Sequence, residues 1–131
     1  MNTLPSYLTS LLPLLLSAGL FSQSPMGHFE ALTSEDGLTE NHVNCIYQDV
    51  DGFMWFGTFD GLNRYDGYTI KTYKPNPEDS TSLSSILVYA ITGDENGNLW
   101  IGTTGGGLNF YNAETDRFTN YRVNLQQANS I

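Results

Sequence analysis

Displaced by 45 residues, the sequence lies on itself. Leu38 falls on Leu83, Val43 on Val88, Ile46 on Ile91, Asp49 on Asp94, Gly52 on Gly97, Trp55 on Trp100, Gly57 on Gly102, Thr58 on Thr103 and Gly61 on Gly106. That makes nine identities in the 24 positions from 38 to 61, all in order. One residue inserted in the run Gly105-Gly106-Gly107 then brings Leu62, Asn63 and Tyr65 onto Leu108, Asn109 and Tyr111, and two more bring Tyr73 onto Tyr121. A period of this length means stacked supersecondary units, each with a face that only a neighbour can bury.

Each unit reads as short strands separated by turns. Val43–Asp49 is followed by Asp51-Gly52, where glycine supplies the positive φ of a tight turn. The run Phe53–Thr58 is apolar on both sides, which predicts a strand covered on both faces, as does Leu99–Thr103. Strands follow at Leu62–Asp66 and Thr69–Tyr73. The second unit repeats the pattern at Val88–Asp94, Leu99–Thr103, Leu108–Asn112 and Arg117–Tyr121. Four strands per period is the signature of a propeller blade, whereas a sandwich shows alternation without the period. The fold expected is all-β: a β-propeller fragment with four-stranded blades over residues 38–82 and 83–128.

Five Lys and Arg stand against fourteen Asp and Glu, a net charge of −9, so the chain lacks the basic surface that nucleic acids require. The uncharged apolar run Leu8–Phe21 is short of the roughly 20 residues that span a bilayer and leads into Ser22, Gln23, Ser24 and Pro25. Residues 1–24 therefore read as a cleaved secretory signal peptide. All the charges follow it, the first being Glu30. The lone Cys45 allows no intrachain disulfide and aligns with Ala90, a small buried slot.

The stretches DVDGFMWFGTFDGLNRYDG (Asp49–Gly67) and DENGNLWIGTTGGGLNFYN (Asp94–Asn112) resemble the two-component regulator propeller repeat, which builds the periplasmic sensor of hybrid histidine kinases of Bacteroidetes. HFEALTSEDGL (His28–Leu38) is similar to the start of those sensors. The resemblance implies a ring-closing strand and linker in residues 25–37. It also implies further blades, a membrane helix and a kinase core in a homodimeric parent anchored in the inner membrane, with an oligosaccharide or other small ligand. Asn129, Ser130 and Ile131 echo Ser84, Ser85 and Ile86, so residues 129–131 read as the start of a third, truncated repeat. The alternative is a self-contained two-blade lectin whose copies assemble into a closed ring.

The repeating Trp55, Trp100, Gly57, Gly102, Tyr65 and Tyr111 read as packing residues, the tryptophans between blades. Loops at one end of a propeller line its mouth, which makes Phe59, Asp60 and Thr104 candidates for ligand contact. Arg64, opposite Phe110 in the repeat, is a further candidate, with pairing to Asp66 as the competing role. The Asp49 and Asp94 turns lack the ligand pattern of a calcium loop, and turn chemistry accounts for them. His28 and His42 sit in no nucleophile arrangement, so neither catalysis, metal nor cofactor is expected.

Overall fold

The computed structural model describes Gly27 and residues 29–123. The signal peptide expected at 1–24, His28 and the repeat start expected at 129–131 lie outside the described residues. The compact unit that holds the strands begins at Ala31.

Eight strands form two antiparallel meanders. One sheet holds β1 (Val43–Gln48), β2 (Met54–Thr58), β3 (Gly61–Tyr65) and β4 (Ile70–Tyr73); the other holds β5 (Val88–Gly93), β6 (Leu99–Thr103), β7 (Gly107–Asn112) and β8 (Arg117–Tyr121). The strands are those the sequence pattern predicts, within a residue or two at each end. The β1–β2 turn is built by Asp49, whose Oδ1 accepts from the backbone N–H of Asp51 and Phe53 at 3.0 and 2.9 Å. Asp94 does the same for Asn96 and Asn98 at 2.9 and 3.0 Å. Gly52 and Gly97 take the positive φ that these turns need, 88° and 79°.

A polar motif recurs in both blades. Thr39 N–H donates to Asn63 Oδ1 at 3.1 Å, and Ser84 N–H donates to Asn109 Oδ1 at 2.9 Å. Thr58 Oγ1 donates to the Gly61 carbonyl at 3.0 Å, and Thr103 Oγ1 to that of Gly107 at 2.9 Å. Both asparagines are fully buried, so the repeated Thr and Asn fasten the segment ahead of each blade onto its sheet, with Leu38 or Leu83 buried beneath it. The equivalence also corrects the alignment: the structural partner of Gly61 is Gly107, and the inserted residue lies in the turn before it.

The sheets stack face to face. Trp55, Leu62 and Tyr73 of the first pack against Val88, Leu99, Ile101, Tyr111 and Phe118 of the second, with Leu83 of the connecting segment in the same core. Close approach depends on Gly57, where a Cβ would stand 2.5 Å from Cys45 Sγ and 2.6 Å from Val88 Cγ1. Cys45 pairs with Gly57 across β1–β2 as Ala90 pairs with Gly102 across β5–β6. Burial pushes the Cys45 thiol up, which favours its protonated form.

Among the described residues of 25–37 there is no strand. Instead Thr33 caps a short 3-10 turn, Ser34–Asp36, Asp36 bonds back to the Thr33 N–H at 2.8 Å, and Gly37 ends the turn at φ 110°. Thr-Ser-Glu-Asp-Gly is a capping sequence, and a strand needs a sheet edge to pair with. The tryptophans also differ: Trp55 is 1% exposed and Trp100 is 38%. Trp100 lies on the face of the second sheet turned away from the first, so β6 is covered on one face only among the described residues. The Trp55 indole donates to Asp49 Oδ2 at 2.7 Å, whereas the corresponding oxygen of Asp94 is taken by the Asn98 side chain at 3.0 Å.

Candidate functional site

The β2–β3 turn (59–60) and the β6–β7 turn (104–106) emerge at the same end of the two sheets. Two backbone bonds knit this end together. Gly61 N–H donates to the Ile86 carbonyl across the blades at 2.8 Å, and Thr104 N–H donates to that of Leu87 at 2.9 Å. Asn44 Nδ2 adds a bond from β1 to the Val88 carbonyl at 2.9 Å. Phe59 stands between two rings, stacked on His42 with centroids 4.9 Å apart and an interplanar angle of 21°, and edge-on to Tyr89 at 5.6 Å. Asp60 beside it is held by Lys74 at 2.7 Å. Thr104 is exposed, and its carbonyl accepts from Ser85 Oγ at 2.9 Å. The structure thus gathers Phe59, Asp60 and Thr104 at one end, with His42 and Tyr89 as partners not anticipated from sequence. Their signal was present: opposite His42 and Tyr89 in the repeat stand Leu87 and Asn44, so both residues break the pattern.

Arg64 is elsewhere. Its guanidinium lies over the rings of Phe53 and Trp55, 4.8 and 5.7 Å from their centroids, and donates to Tyr111 OH at 3.3 Å. Asp66 does not pair with it, because its Oδ1 is taken by the backbone N–H of Tyr68 and Thr69 at 2.8 and 2.7 Å. Arg64 belongs to a polar clamp between the blades. Tyr73 OH from the first blade and Tyr111 OH from the second both donate to Asp116 Oδ1 at 2.8 Å, and Lys71 bonds Asp116 Oδ2. Asp116 reaches this position because the β7–β8 turn is two residues longer than the β3–β4 turn, with Asp116 itself at a φ of 55°.

The clamp explains the protonation equilibria around it. Burial and the hydrogen bond to Asp116 push the Tyr73 hydroxyl well above the usual tyrosine range. Tyr111 is raised chiefly by burial, with Asp116 adding to it. Burial also pushes Asp116 up, but the bonds from Lys71, Tyr111 and Tyr73 outweigh it and hold the carboxyl below the ordinary range. Tyr65, the repeat partner of Tyr111, is partly exposed and donates to the Gly67 carbonyl at 2.8 Å. Among the described residues no group of His, Cys, Asp and Glu side chains could hold a metal ion. The loop end carries the exposed rings of His42 and Tyr89 on either side of the half-buried Phe59.

Residues 37–60 and 82–105 match the profile of the family described as two component regulator propeller, the two segments that superimpose at the 45-residue shift. These two stretches resemble the two component regulator propeller repeat. Over 69 residues it is 48% identical to the protein named histidine kinase P4 of Formosa agariphila, a match that covers 53% of this chain and 5% of that protein. It also aligns with a crystal structure named as the extracellular domain of the hybrid two component system BT3049 from B. thetaiotaomicron, with a TM-score of 0.71 and 37% identity. That alignment covers 78% of this chain and 14% of that one. A second extracellular domain, of the one component system BT4673 from the same organism, shares the fold at a TM-score of 0.51 and 24% identity, over 71% of this chain and 12% of that one. The two propeller repeats thus span a small part of each relative.

Proposed function

We propose that this chain is the N-terminal segment of the extracytoplasmic sensing propeller of a hybrid two-component histidine kinase and that it takes part in recognising an oligosaccharide. The observation that carries the reading is the alignment of both blades with the extracellular domain of a hybrid two component system at 37% identity. The kinship of one stretch to a protein named as a histidine kinase supports it, as does the signal peptide read at residues 1–24, which would place the blades on the periplasmic side. On this reading the chain performs no catalysis. Phosphotransfer belongs to a kinase domain of the parent, anchored in the inner membrane as a homodimer, and the remaining blades complete the ring around the loop end that carries Phe59, Asp60 and Thr104.

The nucleotide sequence beyond the codon for Ile131 tests the assignment. Further propeller repeats, a membrane-spanning helix and a histidine kinase core are expected. A reading frame that encodes neither helix nor kinase overturns it and leaves the oligomerising lectin as the better account.

A further inference from the structure

We propose that the ring row His42, Phe59 and Tyr89 is a ligand platform bridging the two blades, and that it takes the flat face of an uncharged saccharide ring. The inference rests on the sensing reading above and adds to it the residues and the charge class of the ligand. The positions that build the blades repeat: Leu38 with Leu83, Thr58 with Thr103, Asn63 with Asn109. The three rings do not, since Leu87, Thr104 and Asn44 stand opposite His42, Phe59 and Tyr89. Blade construction therefore does not require aromatics there. Nor are they hidden: Tyr89 is 50% exposed and His42 is exposed, while Phe59 between them is half-buried.

The geometry is that of a prepared surface. Phe59 is braced by His42 on one side and Tyr89 on the other, and the backbone beneath is fixed across the blades by the Gly61-to-Ile86 bond and by Asn44. Rings locked in this way lose little freedom when a ligand stacks on them. Charge selects among saccharides. Every cation of this acidic chain is engaged or remote: Arg64 lies in the clamp, Lys71 bonds Asp116, Lys74 bonds Asp60, Arg122 reaches the Ser84 carbonyl, and Arg117 opens β8 at the opposite end of its sheet. Lys74, the cation beside Asp60 and Phe59, is paired with Asp60, and the net charge of −9 disfavours a uronate or a sulfate.

The test is saturation-transfer NMR on the full chain with gluco-, manno-, galacto- and xylo-hexasaccharides and, as anionic probes, oligogalacturonate and sulfated carrageenan oligosaccharides. At least one uncharged member is expected to bind. Phe59→Ala and Tyr89→Ala should each weaken that binding at least about tenfold, and Trp100→Ala, an exposed ring on the far sheet face, should leave it unchanged. Phe59→Leu and Tyr89→Leu, which keep apolar bulk but lose the ring, should show the same loss and guard against misfolding of the alanine variants. Binding confined to the anionic probes, binding that survives the Leu variants, or no binding by any uncharged member overturns the platform. None of these touches the sensing assignment, which stands or falls on the downstream kinase sequence.

Discussion

Replacing Asp116 should destabilise the paired blades in a graded way that reports on the clamp. Asp116 accepts from two hydroxyls whose residues are buried, Tyr111 at 1% and Tyr73 at 8% exposure, and from Lys71. Asp116→Asn keeps an acceptor oxygen and loses the charge, which should cost about 1 kcal/mol. Asp116→Gly removes the acceptor and leaves both hydroxyl protons without a protein acceptor, at about 1 kcal/mol each, so about 2 kcal/mol in all. Asp116→Ala does the same and also puts a Cβ-bearing residue without a polar side chain at a φ of 55°, adding about 1 kcal/mol for a total near 3 kcal/mol. The Lys71 ion pair contributes little to these figures, because its side chains are 47% and 40% exposed. Urea unfolding followed by far-ultraviolet circular dichroism gives the series through its midpoints. The expected order is wild type, Asn, Gly, Ala. A Gly variant as stable as wild type would refute the clamp, and an Ala variant no worse than Gly would refute the backbone contribution.

Other outcomes follow from the same geometry. Tyr73 and Tyr111 are both raised in the folded chain, so the stability they contribute is present below the unfolded tyrosine value of about 10 and is lost as pH rises past it. The melting temperature should fall above about pH 10, and Tyr73→Phe should flatten that fall. Asp116 is lowered, so its contribution is present above the unfolded carboxylate value of about 3.9 and is lost as pH falls through the folded one; Asp116→Asn should blunt acid unfolding. The repeat-equivalent glycines should differ in tolerance. Gly57→Ala drives a methyl into Cys45 and Val88 and should cost about 1–3 kcal/mol, whereas at Gly102 the nearest atom, Ala90 Cβ, is 3.5 Å away and Ala should be accepted. Trp55→Ala should cost about 3–5 kcal/mol in chemical denaturation and Trp100→Ala far less, from their 1% and 38% exposure.

The strands and their grouping into blades were legible because each follows from local signals: apolar runs, Asp-Gly and Asn-Gly turns, and a period that fixes equivalences. Thr58, Asn63 and their counterparts were visible as identities, but their role was not, since the bond from Asn63 to the backbone of Thr39 spans 24 residues. The different fates of Trp55 and Trp100 could not be read from matching positions, because burial depends on which sheet lies opposite. The capping signature Thr33-Ser-Glu-Asp-Gly was in the sequence and accounts for the turn found there. Arg64 stands out in the sequence as a residue that breaks the repeat. Its placement against Tyr111 follows from the stacking of the sheets, and Asp116 joins it through a turn lengthened by two residues, an insertion visible in the alignment without any hint of its purpose.

The proposed role in sensing is tested most directly by phosphotransfer. The gene that contains this segment would be expressed at full length in membranes, and phosphate incorporation on histidine would be followed with and without the hexasaccharide that binds the blades. The account predicts labelling that changes when the saccharide is added, and a response that Tyr89→Leu abolishes while labelling without saccharide stays unchanged. Absence of histidine labelling, or a saccharide response that survives Tyr89→Leu and Phe59→Leu together, would contradict it.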